Sequence, residues 1–152
     1  MLYVCLPSFD EGETVGVLLW RLRKLFQDYP REYEVLVYDD ASTDATREVL
    51  APYAKVLPLT VIGGAERVGY GRAVDALLRE ASNRTRYPRR DAVLLMQADF
   101  TESPDGIPEL VKRFEGGADV VVAERTLPTD APEPLELPPV TRVWSHGLRQ
   151  WP

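Results

Sequence analysis

The chain has 152 residues, 45% hydrophobic and 28% charged, which is the balance of one globular domain large enough to bury a core. Its formal net charge of −6 removes the positive field that a nucleic-acid surface needs, so no nucleic-acid partner is expected. The single cysteine, Cys5, cannot close an internal disulfide, no basic segment precedes a long apolar one at the start, and no apolar run approaches the roughly 18 residues of a bilayer span. A soluble, cytoplasmic protein is therefore expected.

Residues 2–7 (LYVCLP) form a continuous apolar run, the mark of a strand buried on both faces. Residues 13–28 place Val15, Leu18, Leu19, Leu22, Leu25 and Phe26 at helical spacing, with Trp20 expected to pack beside that stripe. Residues 33–39 (YEVLVYD) return to a strand, and Ser42, Thr43 and Asp44 are N-cap candidates for a helix carrying Val49, Leu50 and Tyr53. Residues 56–62 (VLPLTVI) predict a third strand, in which Pro58 points to an edge or a bulge. The glycine-rich loop GGAERVGYG then opens a helix with Ala73, Val74, Leu77, Leu78 and Ala81 on one side.

Residues 91–98 (DAVLLMQA) predict a fourth buried strand. Ser103-Pro104 reads as a cap followed by proline at the first helical position, opening a helix with Ile107, Leu110, Val111 and Phe114 inward. Gly116-Gly117 ends that helix, and residues 118–123 (ADVVVA) predict a fifth strand. Such alternation predicts an α/β fold: a mostly parallel, Rossmann-like sheet with helices on both faces and right-handed crossovers. The domain is expected to span 1–125. Residues 126–139, with five prolines, read as a mobile loop, and 140–152 as a short helix and tail of an incomplete acceptor region.

Ligands of open α/β sheets bind at the carboxyl ends of the strands. The four segments expected there are Pro7-Ser8-Phe9-Asp10-Glu11, Asp39-Asp40, Gln97-Ala98-Asp99 and Glu124-Arg125. Carboxylates gathered on one rim repel unless a cation or donor groups join them. The rim therefore suits a divalent metal with oxygen ligands bridging a diphosphate. A carboxylate can also accept hydrogen bonds from a base or ribose, and Arg125 can face a phosphate with two donors. A single aspartate at a strand end usually serves a turn or cap, and Asp44 is read that way. The Asp39-Asp40 doublet, matched by Asp99 on another strand, is read as binding machinery. The loop GGAERVGYG follows strand three and lacks a third glycine, so it is no dinucleotide fingerprint; without Gly-Lys-Ser/Thr it is no P-loop either. His146 reads as a surface side chain, and Cys5 as core.

These segments resemble family 2 glycosyltransferases. VCLPSFDEGETVGVLL is similar to the family's opening strand and Pro-x-Tyr-Asn-Glu, with Phe9 for tyrosine and Asp10 for asparagine. YEVLVYDDASTDATREVL resembles its Asp-Asp-Gly-Ser-x-Asp-x-Thr segment, with Ala41 for glycine. RVGYGRAVDAL resembles Asn-x-Gly-x-Gly-x-Ala, with Arg67 for asparagine. AVLLMQADFTESPDGIPELVKRFEGGADVVVAER resembles the Asp-x-Asp strand, the helix after it and the strand ending in arginine, with Gln97 in place of the first acid. TRVWSHGLRQW is similar to a helix of the polyprenyl- and dolichol-phosphate sugar synthase branch.

The resemblance implies a glycosyltransferase-A fold and inverting transfer of a sugar from a UDP- or GDP-linked donor to an acceptor such as a polyprenyl phosphate. It implies that Pro7, Phe9, Glu11, Val37 and Asp39, with Asp40 beside them, hold the base and ribose. Gln97, Ala98 and Asp99 hold ribose and the metal-diphosphate, with Asp99 and Gln97 toward Mg²⁺ or Mn²⁺, and Arg125 approaches the phosphates. It further implies a place at the inner face of a membrane, with a second copy or a membrane-associated protein as partner. Glutamine at 97 offers an oxygen but no charge, which lowers the expected metal affinity. An alternative expectation is a noncatalytic or truncated nucleotide-sugar-binding module. A nucleotidyltransferase is less well supported, because no glycine-rich loop with arginine and lysine follows strand one.

Overall fold

The computed structural model describes residues 1–123. Arg125, the proline-rich stretch and residues 140–152, with the expectations attached to them, lie outside the described residues. The chain alternates β1 (Leu2–Ser8), α1 (Val15–Asp28), β2 (Tyr33–Asp39), α2 (Thr46–Tyr53), β3 (Leu59–Gly63), α3 (Tyr70–Arg84), β4 (Ala92–Leu95), a 3₁₀ turn (Pro104–Gly106) and α4 (Ile107–Glu115). The four strands form one parallel sheet in the order β3-β2-β1-β4.

All seven residues of β1 are buried, because the strand is flanked on both sides and covered on both faces. Leu2, Val4 and Leu6 face a core that holds Val15, Leu18, Leu19, Leu22 and Phe26 of α1 with Ile107 and Val111 of α4. Tyr3 and Cys5 face the opposite side and pack with Leu36, and with Leu77 and Ala81 of α3. That two-sided burial is why β1 reads as an unbroken apolar run rather than an alternating one. Burial pushes the Cys5 thiol up to about 12, so it behaves as a small core hydrophobe.

The turn chemistry follows the sequence. Ser103 caps the 3₁₀ turn by accepting from the Asp105 N–H at 3.3 Å, and Pro104 fills its first position. Gly116 and Gly117 close α4, the latter at φ +104°. The third strand begins at Leu59 rather than Val56, so Pro58 stands just ahead of it; β3 is an edge strand, and the Pro58 carbonyl at its entrance accepts from the Val35 N–H at 2.8 Å.

Three expectations are corrected. Residues 118–123 form no strand: no neighbouring strand offers them a hydrogen-bond ladder among the described residues, and Val120 and Val122 stay 68% and 81% exposed. The fourth strand is shorter than residues 91–98 and is not buried on both faces. It is an edge strand, and α3 lies over β1 and β2, which leaves Val93 and Leu95 open to solvent. Trp20 is 51% exposed, with the Lys24 ammonium 5.7 Å from its ring, rather than packed into the core.

β2 and β3 approach so closely at their carboxyl ends that Gly63, at φ +139°, has room for no side chain: a Cβ there meets the Asp39 carbonyl oxygen at 2.1 Å. Gly63→Ala is therefore expected to destabilise the domain by about 3 kcal/mol, read as a lower denaturant midpoint. At the other end of the sheet, hydrogen bonds from Thr85 and then the chain-terminal ammonium hold the Asp91 carboxyl down at about 2. The unfolded chain takes up that proton first as pH falls, so this stabilisation is complete above pH 4 and is lost between about 4 and 2. Asp91→Asn is expected to flatten the fall in melting temperature over that interval.

Candidate functional site

Parallel pairing puts the carboxyl ends of β1, β2 and β4 on one rim, and hydrogen bonds between their loops fix it. Asp10, held at φ +53°, donates its N–H to Ser42 Oγ at 3.0 Å and accepts the Thr43 N–H on Oδ1 at 2.7 Å. The Glu11 N–H donates to Thr46 Oγ1 and the Gly12 N–H to Asp44 Oδ2, both at 2.9 Å. Asp44 also accepts from the Thr46 side chain and N–H, and these bonds hold its carboxyl below the usual range. Asp44 thus serves the turn ahead of α2, whose N-cap position is Ala45 and not one of the candidates Ser42, Thr43 or Asp44. The third loop is tied in by Thr14, whose hydroxyl donates to Glu11 Oε2 at 2.9 Å and to the Ala98 carbonyl at 3.0 Å.

The Asp39-Asp40 doublet separates into two tasks. Asp39 is almost wholly buried, bonded through Oδ1 to the Ser42 N–H at 3.1 Å and through Oδ2 to Arg47. Burial pushes its carboxyl up, but the hydrogen bonds from Ser42 and Arg47 outweigh it and hold the group below the usual carboxylate range. Asp40 turns to the glycine-rich loop, accepting from the Val68 N–H at 2.6 Å and the Gly69 N–H at 2.9 Å, with Arg67 Nε 3.8 Å away. Arg67 lays its guanidinium over the Phe9 ring, 3.6 Å from the centroid.

Beside Asp39 lies a cavity of about 490 Å³ lined by Arg47, Leu50, Ala51 and the small residues Gly63 to Ala65. Val37 is wholly buried within the main core, two residues before Asp39, and presents no surface to this rim. Ser8 is also buried, and its hydroxyl has no hydrogen-bond partner among the described residues.

On the β4 loop, Gln97 Nε2 donates to the Tyr70 hydroxyl at 3.1 Å, and the Gln97 N–H donates to Glu102 Oε2 at 2.9 Å. Asp99 Oδ1 accepts the Thr101 N–H at 2.9 Å and its hydroxyl at 2.7 Å, so the second Asp99 oxygen is not consumed by that turn. Carboxylate, amide and hydroxyl oxygens on one loop form a hard donor set, the chemistry that Mg²⁺ and Mn²⁺ prefer. No group of three or more His, Cys, Asp or Glu gathers among the described residues, so such donors would be carboxylate and amide oxygens of this one loop. The sequence pointed to Phe9, Asp39 and Asp99 at this rim. It gave no sign of Arg47, Tyr70 or Glu102, whose contacts here cross 5 to 27 positions of sequence.

The parallel β3-β2-β1-β4 sheet is the Rossmann-like α/β arrangement of the glycosyltransferase-A fold. The chain belongs to glycosyl transferase family 2, whose family model matches residues 3–149. It is 30% identical over 122 residues to a dolichol-phosphate mannosyltransferase of Pyrococcus furiosus, covering 80% of this chain and 32% of that protein. It is 31% identical over 121 residues to a bactoprenol glucosyl transferase of Shigella phage SfV, covering 79% and 37%.

Among solved structures it is similar to the mannosyltransferase PcManGT of Pyrobaculum calidifontis in complex with GDP-Man and Mn²⁺. The TM-score is 0.58 and the identity 29%, over 73% of this chain and 31% of that one. The S. aureus TarS 1–349 complex with UDP-GlcNAc gives 0.60 and 25%, over 76% and 31%. The chain thus spans 32% to 37% of the length of these two curated relatives.

Ala41 follows the doublet at φ +60°, where the family pattern has glycine and where a Cβ is strained. Ala41→Gly is expected to stabilise the domain by up to about 1 kcal/mol, seen as a higher denaturant midpoint at unchanged slope.

Proposed function

We propose that the chain is the donor-binding part of an inverting glycosyltransferase that takes a sugar from a UDP- or GDP-linked donor. The observation that carries this reading is the lacing of three loops into one rim: Asp10 to Ser42 and Thr43, and Thr14 to Ala98. The lacing brings together the segments in which the family resemblance lies. In this reading Pro7, Phe9 and Glu11 line the base and ribose side. Asp39 and Asp40 supply acceptors and hold Arg47 and the glycine-rich loop in place. Gln97, Ala98 and Asp99 meet ribose and diphosphate, and Arg125 approaches the phosphates.

Asp99 and the Gln97 carbonyl would hold Mg²⁺ or Mn²⁺, which would supply positive charge against the leaving diphosphate. Before reaction the protein's own work is positioning. Phe9 offers a stacking face, and the buried Asp39 holds the exposed Arg47 as part of the wall of the adjoining cavity. The relatives' names support a polyprenyl phosphate as acceptor; a site of action at the inner face of a membrane, with a second copy or a membrane-associated protein as partner, is part of the same proposal. Among the described residues no helix is long and apolar enough to cross a membrane. Gln97, uncharged where an acid is the family pattern, favours a second reading: a module that binds the donor without turning it over.

Calorimetric titration of UDP- and GDP-sugars with and without Mn²⁺ tests the proposal. One donor class is expected to bind, more tightly with Mn²⁺, and Phe9→Ala is expected to weaken it by about tenfold or more through lost stacking. Absence of binding by every donor would sink the reading. Bound donor with no hydrolysis or transfer would favour the noncatalytic module.

A further inference from the structure

We infer that Arg67 is a side chain with two seats: it covers a face of the Phe9 ring, and nucleotide binding moves it from there to the diphosphate, so that the base gains the ring. The inference rests on the donor-binding reading above and adds a positioning role for a residue that reading does not use. The Arg67 guanidinium lies 3.6 Å from the Phe9 ring centroid, which is stacking contact. A base approaching that face therefore meets the guanidinium first, and the two compete for one aromatic surface. The family pattern has an uncharged asparagine at this position, so the competition comes with the arginine of this chain.

Little besides the ring holds the guanidinium. Arg47, on the same rim, is committed through Nε to Asp39 and through a terminal nitrogen to the Gly64 carbonyl at 3.2 Å. Arg67 has no hydrogen-bond partner among the described residues. Its Nε is 3.8 Å from Asp40 Oδ2, and both Asp40 oxygens already accept amides, from Val68 and Gly69. Those two amides pin the backbone next to Arg67, so the side chain can swing while its root stays in place. The side chain is 61% exposed, and a Cβ on Gly69 or Gly71 would meet nothing within 4 Å, so the space beside the loop is open. Five N–H donors that no protein acceptor takes suit a phosphate, which a guanidinium meets with two charge-assisted bonds, better than they suit an exposed ring. Base, ribose and diphosphate are one molecule, so a base seated on Phe9 brings the diphosphate toward the side chain it displaces. The competing role is a fixed platform, in which the base stacks on the outer face of an unmoved guanidinium.

The test compares the full chain with Arg67→Ala in EDTA, by NMR titration of uridine and guanosine and by calorimetry of UDP and GDP. Arg67→Ala is expected to bind the nucleoside of the accepted base about threefold more tightly, because the ring is freed, and its diphosphate about fivefold or more weakly, because the cation is gone. A loop that merely misfolds would not move the two affinities in opposite directions. A second reading needs no variant: in the wild type the ring-current shift that Phe9 imposes on the Arg67 Hδ protons is expected to vanish as the nucleoside is added. Nucleoside affinity that is absent, unchanged or lower in Arg67→Ala overturns the inference, and a loss of both affinities identifies the fixed platform. Diphosphate affinity that rises with the nucleoside's, or Arg67 protons that keep their shift in the nucleoside-saturated protein, overturns it equally. A wild type that binds neither UDP nor GDP overturns the donor-binding reading and the inference with it, whereas binding of either leaves that reading standing even where Arg67 proves inert.

Discussion

The constraint on which the structure depends is the parallel register of β1 with both of its neighbours. Leu2 pairs with Tyr33 on one side and with Ala92 on the other, and the ladders run in step toward Ser8 and Asp39 and toward Cys5 and Leu95. A slip of one residue on β1 would move Leu2, Val4 and Leu6 out of the main core and put Tyr3 and Cys5 in their place. Because that exchange is costly, the register is fixed, and three loops must emerge on the same side. The rim is thus a consequence of core packing. Polar contacts such as Asp10 with Thr43 and Thr14 with Ala98 refine it once the strands are aligned.

Within that rim the acids divide by what already satisfies them. Asp39 and Asp40 are consumed by protein donors: Arg47 and the Ser42 amide for one, the Val68 and Gly69 amides for the other. They act as girders, and truncating either would free the loop donors that it ties down. Asp99 and Glu102 bond only to groups on their own loop. Backbone strain marks the same region. The three non-glycine residues at positive φ among the described residues, Asp10, Ala41 and Phe100, each begin a loop at the end of a strand or just beyond it. Strain of this kind persists where surrounding contacts over-determine the backbone.

Much of this was legible in the sequence, for physical reasons that differ by element. The buried stripe of α1 follows from helical periodicity, and Val15, Leu18, Leu19, Leu22 and Phe26 are all buried. Pro58 announced an edge because proline cannot donate to a ladder. The apolar run ADVVVA was misread because composition shows a preference for burial but cannot show whether a partner strand exists to receive it. Val93 and Leu95 were misjudged for a related reason: which part of a sheet a helix covers is a tertiary matter. At the rim, strand-end position was enough to place Phe9, Asp39 and Asp99 on the carboxyl-end loops. It was not enough to find Arg47 on Asp39, or Glu102 folded back on Gln97, because those contacts depend on loop torsions that no local pattern encodes. Arg67 was visible only as a replacement for asparagine, and its seat on Phe9 emerged from the fold.

The carboxylate of Asp40 has one more effect. α3 begins at Tyr70, and the amides just ahead of it, Val68 and Gly69, point at Asp40. In many nucleotide-binding sheets those free amides, at the positive end of the helix dipole, are the cradle in which a phosphate sits. Here an anion built into the chain has already taken that seat. Asp40 thus meets the two amides ahead of α3 with a charge of the chain's own, so the approach to that helix carries a fixed anion rather than an open pair of donors.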